Sequence, residues 1–218
     1  MSMQVIKAGI MDSLQDMGRY GYQSLGINPT GAMDLYSMTI ANLLTGNAPG
    51  ETVIEMHFPA AVLLFRAPAL IALSGADFTA TLNGRSLPIH QPVWVEENDV
   101  LSFLSPVKGA RLYLSVAGGF AIEPWLESGS THLAANAGGF RGRALSVADE
   151  IPLRKKWNGI PDGNRILPWK AGTDWGNTTD KIGILSGNEW DWLTEESKEI
   201  FFNQAYRLSS QSDRMGYR

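Results

Sequence analysis

Between residues 53 and 116 the apolar residues come in short runs, and turn signals separate them. The runs cover 62–65, 70–73, 78–82, 93–95, 100–104 and 111–116. Ahead of them, Val53, Glu55 and His57 alternate with Ile54, Met56 and Phe58. Ala67-Pro68, Ser74-Gly75, Asn83-Gly84, Asn98-Asp99 and Lys108-Gly109 supply the turns. Such runs are too short to bury a helical stripe and too closely spaced for helical crossovers between parallel strands. The spacing predicts an antiparallel barrel or sandwich, a mainly β fold. Asn83-Gly84 is the sharpest hairpin signal, because both central residues of a type I′ turn need positive φ.

One helix interrupts the strands. Leu35, Met38, Ala41 and Asn42 fall on one helical face. Asp34 is a natural N-cap, because its carboxylate can accept the unpaired N–H groups of the first turn, and Gly46 is a natural residue just past the end. The spacing predicts a helix near 34–44. The preceding loop, GINPTGAMD, carries two glycines and a proline. It serves either as a plain helix entry or as one lip of a site.

The pattern breaks at 154–180, which is rich in Gly, Pro, Asn and Asp and has little periodicity. This stretch reads as an irregular connection or insertion between a strand-rich region, 1–153, and the start of a C-terminal part, 181–218. Trp157, Trp169 and Trp175 suggest that the connection packs onto something. After it, 182–185 reads as a strand. Thr194 caps a helix whose first turn holds Glu195 and Glu196, where the helix dipole favours acids. Phe201 and Phe202 are expected to face the core, and 205–208 reads as a last strand.

Composition narrows the chemistry. The chain of 218 residues has no cysteine, which excludes disulfides, thiolate zinc sites and a thiol nucleophile. That fits a reducing cytoplasm. No apolar run is long enough to span a membrane, and Met1-Ser2-Met3-Gln4-Val5 lacks the features of a signal peptide. A net charge of -4 with scattered Lys and Arg offers no footprint for nucleic acid. The one short basic knot is Arg154-Lys155-Lys156. There is no P-loop, no dinucleotide fingerprint, no H-E-x-x-H and no G-x-S-x-G. His57, His90 and His132 lack metal-ligand spacing, so no metal site is expected.

What stands out is a set of polar clusters in glycine-rich loops. They are Gln15-Asp16-Met17-Gly18-Arg19, Gly31-Ala32-Met33-Asp34, Ser74-Gly75-Ala76-Asp77, Ala117-Gly118-Gly119-Phe120, Ser128-Gly129-Ser130-Thr131 and Ser212-Asp213-Arg214-Met215-Gly216. Each alone is explained by a turn with local Asx hydrogen bonds. Several in one chain point to a site for a small polar molecule.

The segments QDMGRYGYQSLGINPTGAMD, ANLLTGN, IALSGADFTATLNG, YLSVAGGF, SGSTHLAANAGGFRGRAL and QAYRLSSQSDRMGYR resemble the allophanate hydrolase subunit 2, or KipA-like, family, whose members are also known as 5-oxoprolinase subunits. The family is related to the carboxyltransferase domain of urea carboxylase and urea amidolyase. The resemblance covers residues 4–218 except the stretch near 154–180, and the family's C-terminal third has no counterpart in the chain. It implies a cyclophilin-like β-barrel with a few short helices. It also implies a KipI-like partner subunit, together with a further subunit of the LamB/YcsF family. Such assemblies open 5-oxoproline to glutamate at the expense of ATP. This chain is expected to bind no cofactor alone, the ATP belonging to the assembled enzyme. The alternatives are a urea- or allophanate-type carboxyltransferase or hydrolase subunit, and a non-catalytic regulator that binds a KipI-like histidine-kinase inhibitor. The residues expected to be catalytic are Asp77, Arg214 and Asp34. Those expected to bind substrate are Asp16, Arg19, Gly31, Gly118, Gly119 and Thr131. Backbone N–H groups near Gly118-Gly119 are candidates for stabilising an oxyanion. If Asp77 and Arg214 meet in one cleft they serve a ligand as acceptor and bidentate donor; the alternative is a structural Asp–Arg pair that ties the two ends of the chain together.

Overall fold

The computed structural model describes residues 1–158, 165–172 and 183–207. The chain forms two compact units, Met1–Thr173 and Asp174–Arg218. The first is mainly β, as the short runs predict. Its strands are β1 (Ser2–Lys7), β2 (Ser13–Gln15), β3 (Val53–Met56), β4 (Val62–Phe65), β5 (Ala69–Asp77), β6 (Ala80–Leu82), β7 (Arg85–Ser86), β8 (Pro92–Val95), β9 (Val100–Phe103), β10 (Lys108–Val116) and β11 (Glu150–Pro152). Helix α1 spans Leu35–Leu44. Asn83 (φ 52°) and Gly84 (φ 77°) form the expected turn between β6 and β7.

The strands pair into a six-stranded sheet, β11-β1-β4-β9-β6-β7, and a five-stranded sheet, β2-β3-β10-β5-β8. Among the described residues the ladder does not close into one barrel. The two sheets bury a common core, with Met3, Val5, Leu63, Phe65 and Leu101 from the first and Ile54, Met56, Ile71, Leu73, Leu112 and Leu114 from the second. The outer face of the five-stranded sheet is also covered. There α1 lays Met38 and Ala41 against Val53 and Tyr113. A strand buried on both faces reads as continuously apolar, as β8 does; β3 is also buried at every position but carries the charged Glu55. In β4, which α1 does not cover, burial alternates residue by residue.

The connection after β11 does pack, onto the open edge of β8. Trp94 N–H donates to Arg165 O at 2.7 Å, and Leu167 N–H to Pro92 O at 3.0 Å. Trp157 meets Trp94 edge to face at 4.7 Å, and the Trp169 indole N–H donates to Leu44 O. Covering an edge strand removes unpaired backbone groups that otherwise invite aggregation. Trp175 lies outside the described residues.

In the second unit, α2 spans Glu195–Asn203, capped as expected by Thr194, whose hydroxyl accepts the Ser197 N–H at 3.2 Å. Three expectations here fail. Residues 183–185 and 205–207 are not strands, and Ile182 and Leu208 lie outside the described residues. Among the described residues Phe201 and Phe202 face no buried core: they meet Trp190 and each other edge to face while remaining 40% and 64% exposed. An apolar run becomes a strand only where a neighbouring strand takes up its backbone groups, and the described part of this unit supplies none.

Between β1 and β2 sits Asp12, fully buried, accepting the N–H groups of His57 (2.9 Å) and Ala61 (2.6 Å). It pins the turn from β3 to β4. Burial pushes its carboxyl up from 3.8 to about 6, against the two hydrogen bonds. A raised carboxyl stabilises the fold fully below its unfolded pKa, and that contribution is lost as pH rises through about 6. Between about pH 7.5 and pH 5 the stability difference between wild type and Asp12→Asn should therefore move in favour of wild type by about 1 kcal/mol. Urea unfolding at the two pH values measures it; a difference that stays constant contradicts the shift.

Candidate functional site

Asp16 follows the end of β2, and its carboxylate turns inward. Its Oδ1 accepts from the Gly18 N–H (2.7 Å), the Ser128 hydroxyl (2.8 Å) and the Ser130 hydroxyl. Its Oδ2 accepts the Gly129 N–H at 2.6 Å. Four donors satisfy a buried carboxylate that would otherwise carry a heavy desolvation cost. Residues 128–130 belong to a tight turn in which Leu126 and Glu127 take positive φ and Trp125 exchanges backbone bonds with Ser128. Thr131 follows and donates both its N–H and its hydroxyl to Leu14 O, at 2.9 and 3.0 Å.

Arg19 is buried to 2% exposure in the same knot. Its guanidinium donates to Ser130 O and to the Thr30 hydroxyl, and lies 4.6 Å above the Trp125 ring. Burial draws its pKa below the ordinary value, and Asp16 opposes that shift. Loop 29–34 closes over these residues. Ala32 N–H donates to Asp16 O, and Arg19 N–H to Pro29 O, both at 2.8 Å. Gly31 (φ +95°) lies so close to Gly18 that a Cβ would stand 2.9 Å from the Gly18 nitrogen. Asp16, Arg19, Gly31 and Thr131 are thus brought together.

Asp34 caps α1 at the far end of that loop, accepting the Ser37 N–H (3.0 Å) and hydroxyl (2.5 Å). Beneath the loop lies an acid–phenol pair that the sequence did not single out. Glu55 Oε2 accepts from Tyr113 Oη (2.8 Å) and Met33 N (2.7 Å), while the Asp34 N–H donates to Tyr113 Oη (2.7 Å). Burial, then the charge of Glu55, pushes the Tyr113 hydroxyl far up, so it stays a neutral donor.

Beside the knot opens a cleft of about 280 Å³, lined by Asp16, Glu51, Thr52, Phe120, Gly129 and Arg154 among others. Phe120 follows the Gly118-Gly119 turn, but that turn offers no oxyanion donors. Gly118 N–H donates to Asn47 Oδ1, and Gly119 N–H to Val116 O, both at 2.8 Å. Asp77 does not line the cleft. Its half-buried carboxylate accepts the Thr79 N–H at 2.8 Å and caps the end of β5. Arg214 lies outside the described residues. Of the side chains the expectations left unassigned, Ser128 and Ser130 stand in a glycine cluster and Arg154 in the basic knot. Glu51 carries no local signal.

A family model, "Carboxyltransferase domain, subdomain A and B", matches residues 25–218. The chain is 32% identical over 99% of its length to a 5-oxoprolinase subunit of Escherichia coli, spanning 67% of that protein. It is 31% identical over 100% of its length to urea amidolyase of Saccharomyces cerevisiae, spanning 12% of that protein. The crystal structure of the K. lactis urea amidolyase superposes on 100% of the chain and 14% of its own, with TM-score 0.82 and 31% identity. Because that model matches most of the chain, residues 25–218, the chain belongs to the carboxyltransferase domain family, subdomain A and B.

Proposed function

We propose that this chain is a subunit of an ATP-dependent 5-oxoprolinase that opens 5-oxoproline to glutamate, working with a KipI-like subunit and a further subunit of the LamB/YcsF family. The observation that carries the reading is near full-length similarity to a 5-oxoprolinase subunit, 32% over 99% of the chain. The site's chemistry supports it. The cleft is sized for a small molecule, and its walls combine carboxylates, a hydroxyl, a guanidinium and the ring of Phe120. A cyclic amide with a carboxylate presents an N–H, a carbonyl and an anion to such groups. ATP is assigned to the partner subunits, and the assembly is expected to work in the cytoplasm, where ATP is available. Carboxyl transfer to a urea-like acceptor is the second reading, favoured by the family model and by the likeness to urea amidolyase.

Reconstitution tests the first reading. Mixed with both partner subunits, the chain should support phosphate release from ATP that depends on 5-oxoproline, and leaving it out should abolish that release. Release that depends on urea instead, or that persists without this chain, contradicts it.

The buried guanidinium of Arg19 generates a second expectation. Lysine cannot reproduce its fork to Ser130 O and Thr30 or its stacking on Trp125. Arg19→Lys should therefore lower stability by about 1–3 kcal/mol and turnover of the assembly at least about tenfold. Chemical denaturation and the phosphate assay read the two effects; a variant that keeps full turnover removes Arg19 from the site's support.

A further inference from the structure

We infer that Arg154 reads the charge of the substrate, and that Glu51 holds Arg154 in reserve while the cleft is empty. The inference rests on the cleft being the substrate site, and it narrows the ligand class to small molecules bearing a carboxylate.

Arg154 and Glu51 both line the cleft, and the Arg154 guanidinium pairs with Glu51 Oε1. The two side chains are not equally fixed. Glu51 is 21% exposed and its Oε1 also accepts the Thr52 N–H at 2.9 Å. The Arg154 side chain is 47% exposed, and no other hydrogen bond holds its guanidinium among the described residues. Its backbone is anchored, however: Arg154 N–H donates to Gly119 O at 3.1 Å, next to the bridge between Phe120 and Leu153. A guanidinium on a fixed backbone, paired once at a half-exposed position, is free to change partners, because such a pair contributes little.

Gly119 gives the pair its place. The residue has φ +75°, and a Cβ there would run into Arg154 Nη2 and stand 2.8 Å from Glu51 Cδ. The absent side chain lets the ion pair lie against this turn. This also gives Gly119 a role other than donating hydrogen bonds. The neighbouring cation is committed elsewhere, since the Lys155 ammonium sits 3.8 Å over the Trp157 ring. Arg154 is therefore the cation of the cleft among the described residues.

An incoming carboxylate offers the guanidinium a bidentate, charge-assisted partner in place of Glu51. A neutral ligand such as urea offers none, so the pair stays closed against it. The arrangement favours a carboxylated lactam over urea.

The test is NMR titration of the full chain with three probes: 5-oxoproline, 2-pyrrolidinone (the same lactam ring without the carboxylate) and acetate. Wild type is compared with Arg154→Gln and Glu51→Gln, both changes at solvent-accessible side chains. Arg154→Gln should weaken 5-oxoproline about tenfold and leave 2-pyrrolidinone within about twofold, whereas Glu51→Gln should tighten 5-oxoproline about threefold. The inference is overturned if Arg154→Gln leaves 5-oxoproline binding unchanged or weakens both lactams equally. If 5-oxoproline shifts no cleft amide in wild type while acetate shifts the Arg154 side chain, the substrate reading fails and the anion site stands. If neither probe reaches Arg154, the inference falls.

Discussion

The carboxylate of Asp16 joins two stretches of chain that lie 112 to 114 residues apart in sequence. Everything around the cleft depends on that junction. A buried carboxylate has to be met by donors, and here three of the four come from the turn at 128–130. The same turn supplies the carbonyl that receives Arg19. Acid and base each bind this one turn, Asp16 at its hydroxyls and an N–H, Arg19 at a carbonyl. Hydrogen bonds to charged groups contribute about 1.5–3 kcal/mol each. Several at one residue hold a loop that has no sheet partner of its own.

The sheets explain why this junction sits where it does. β2 is three residues long and lies at the edge of the five-stranded sheet, so the chain leaves the ladder at Gln15 and Asp16 begins the loop. α1 then returns the chain across the outer face of the same sheet. The long loop 16–34 between β2 and α1 passes from an edge to a face, and Gly18 and Gly31 let its two arms touch. Glu55 and Tyr113 fix the far end through two backbone N–H groups. Sheet edge, helix cap and buried turn thus converge on one side of the first unit.

Much of this is legible in the sequence where the physics is local. The Asn83-Gly84 turn and the Asp34 cap depend on residues within a few positions of one another, and they fold as read, whereas the turn signals at Ser74-Gly75 and Lys108-Gly109 fall inside the longer strands β5 and β10. Partner choice is not local. Nothing near Gly118 announces that Asn47 will occupy its N–H, and nothing near Asp16 says that its carboxylate will turn inward rather than toward a ligand. The clusters single out Asp16, Arg19, Gly31 and Thr131, which lie together in the fold, but not the contacts they make with one another and with the turn at 128–130. Glu51 escapes notice because its partner stands at the other end of the unit, on Arg154. The runs at 183–185 and 205–207 mislead because apolar β-branched and aromatic residues favour strands only when a neighbouring strand is present.

The central claim is that one carboxylate organises both arms of the site. Hydrogen exchange of wild type and Asp16→Asn, followed by mass spectrometry, addresses it directly. The account predicts that peptides covering 13–34 and 125–131 lose protection together, while peptides from β5 and β10 keep theirs. Protection lost in only one arm, or in neither, would contradict it.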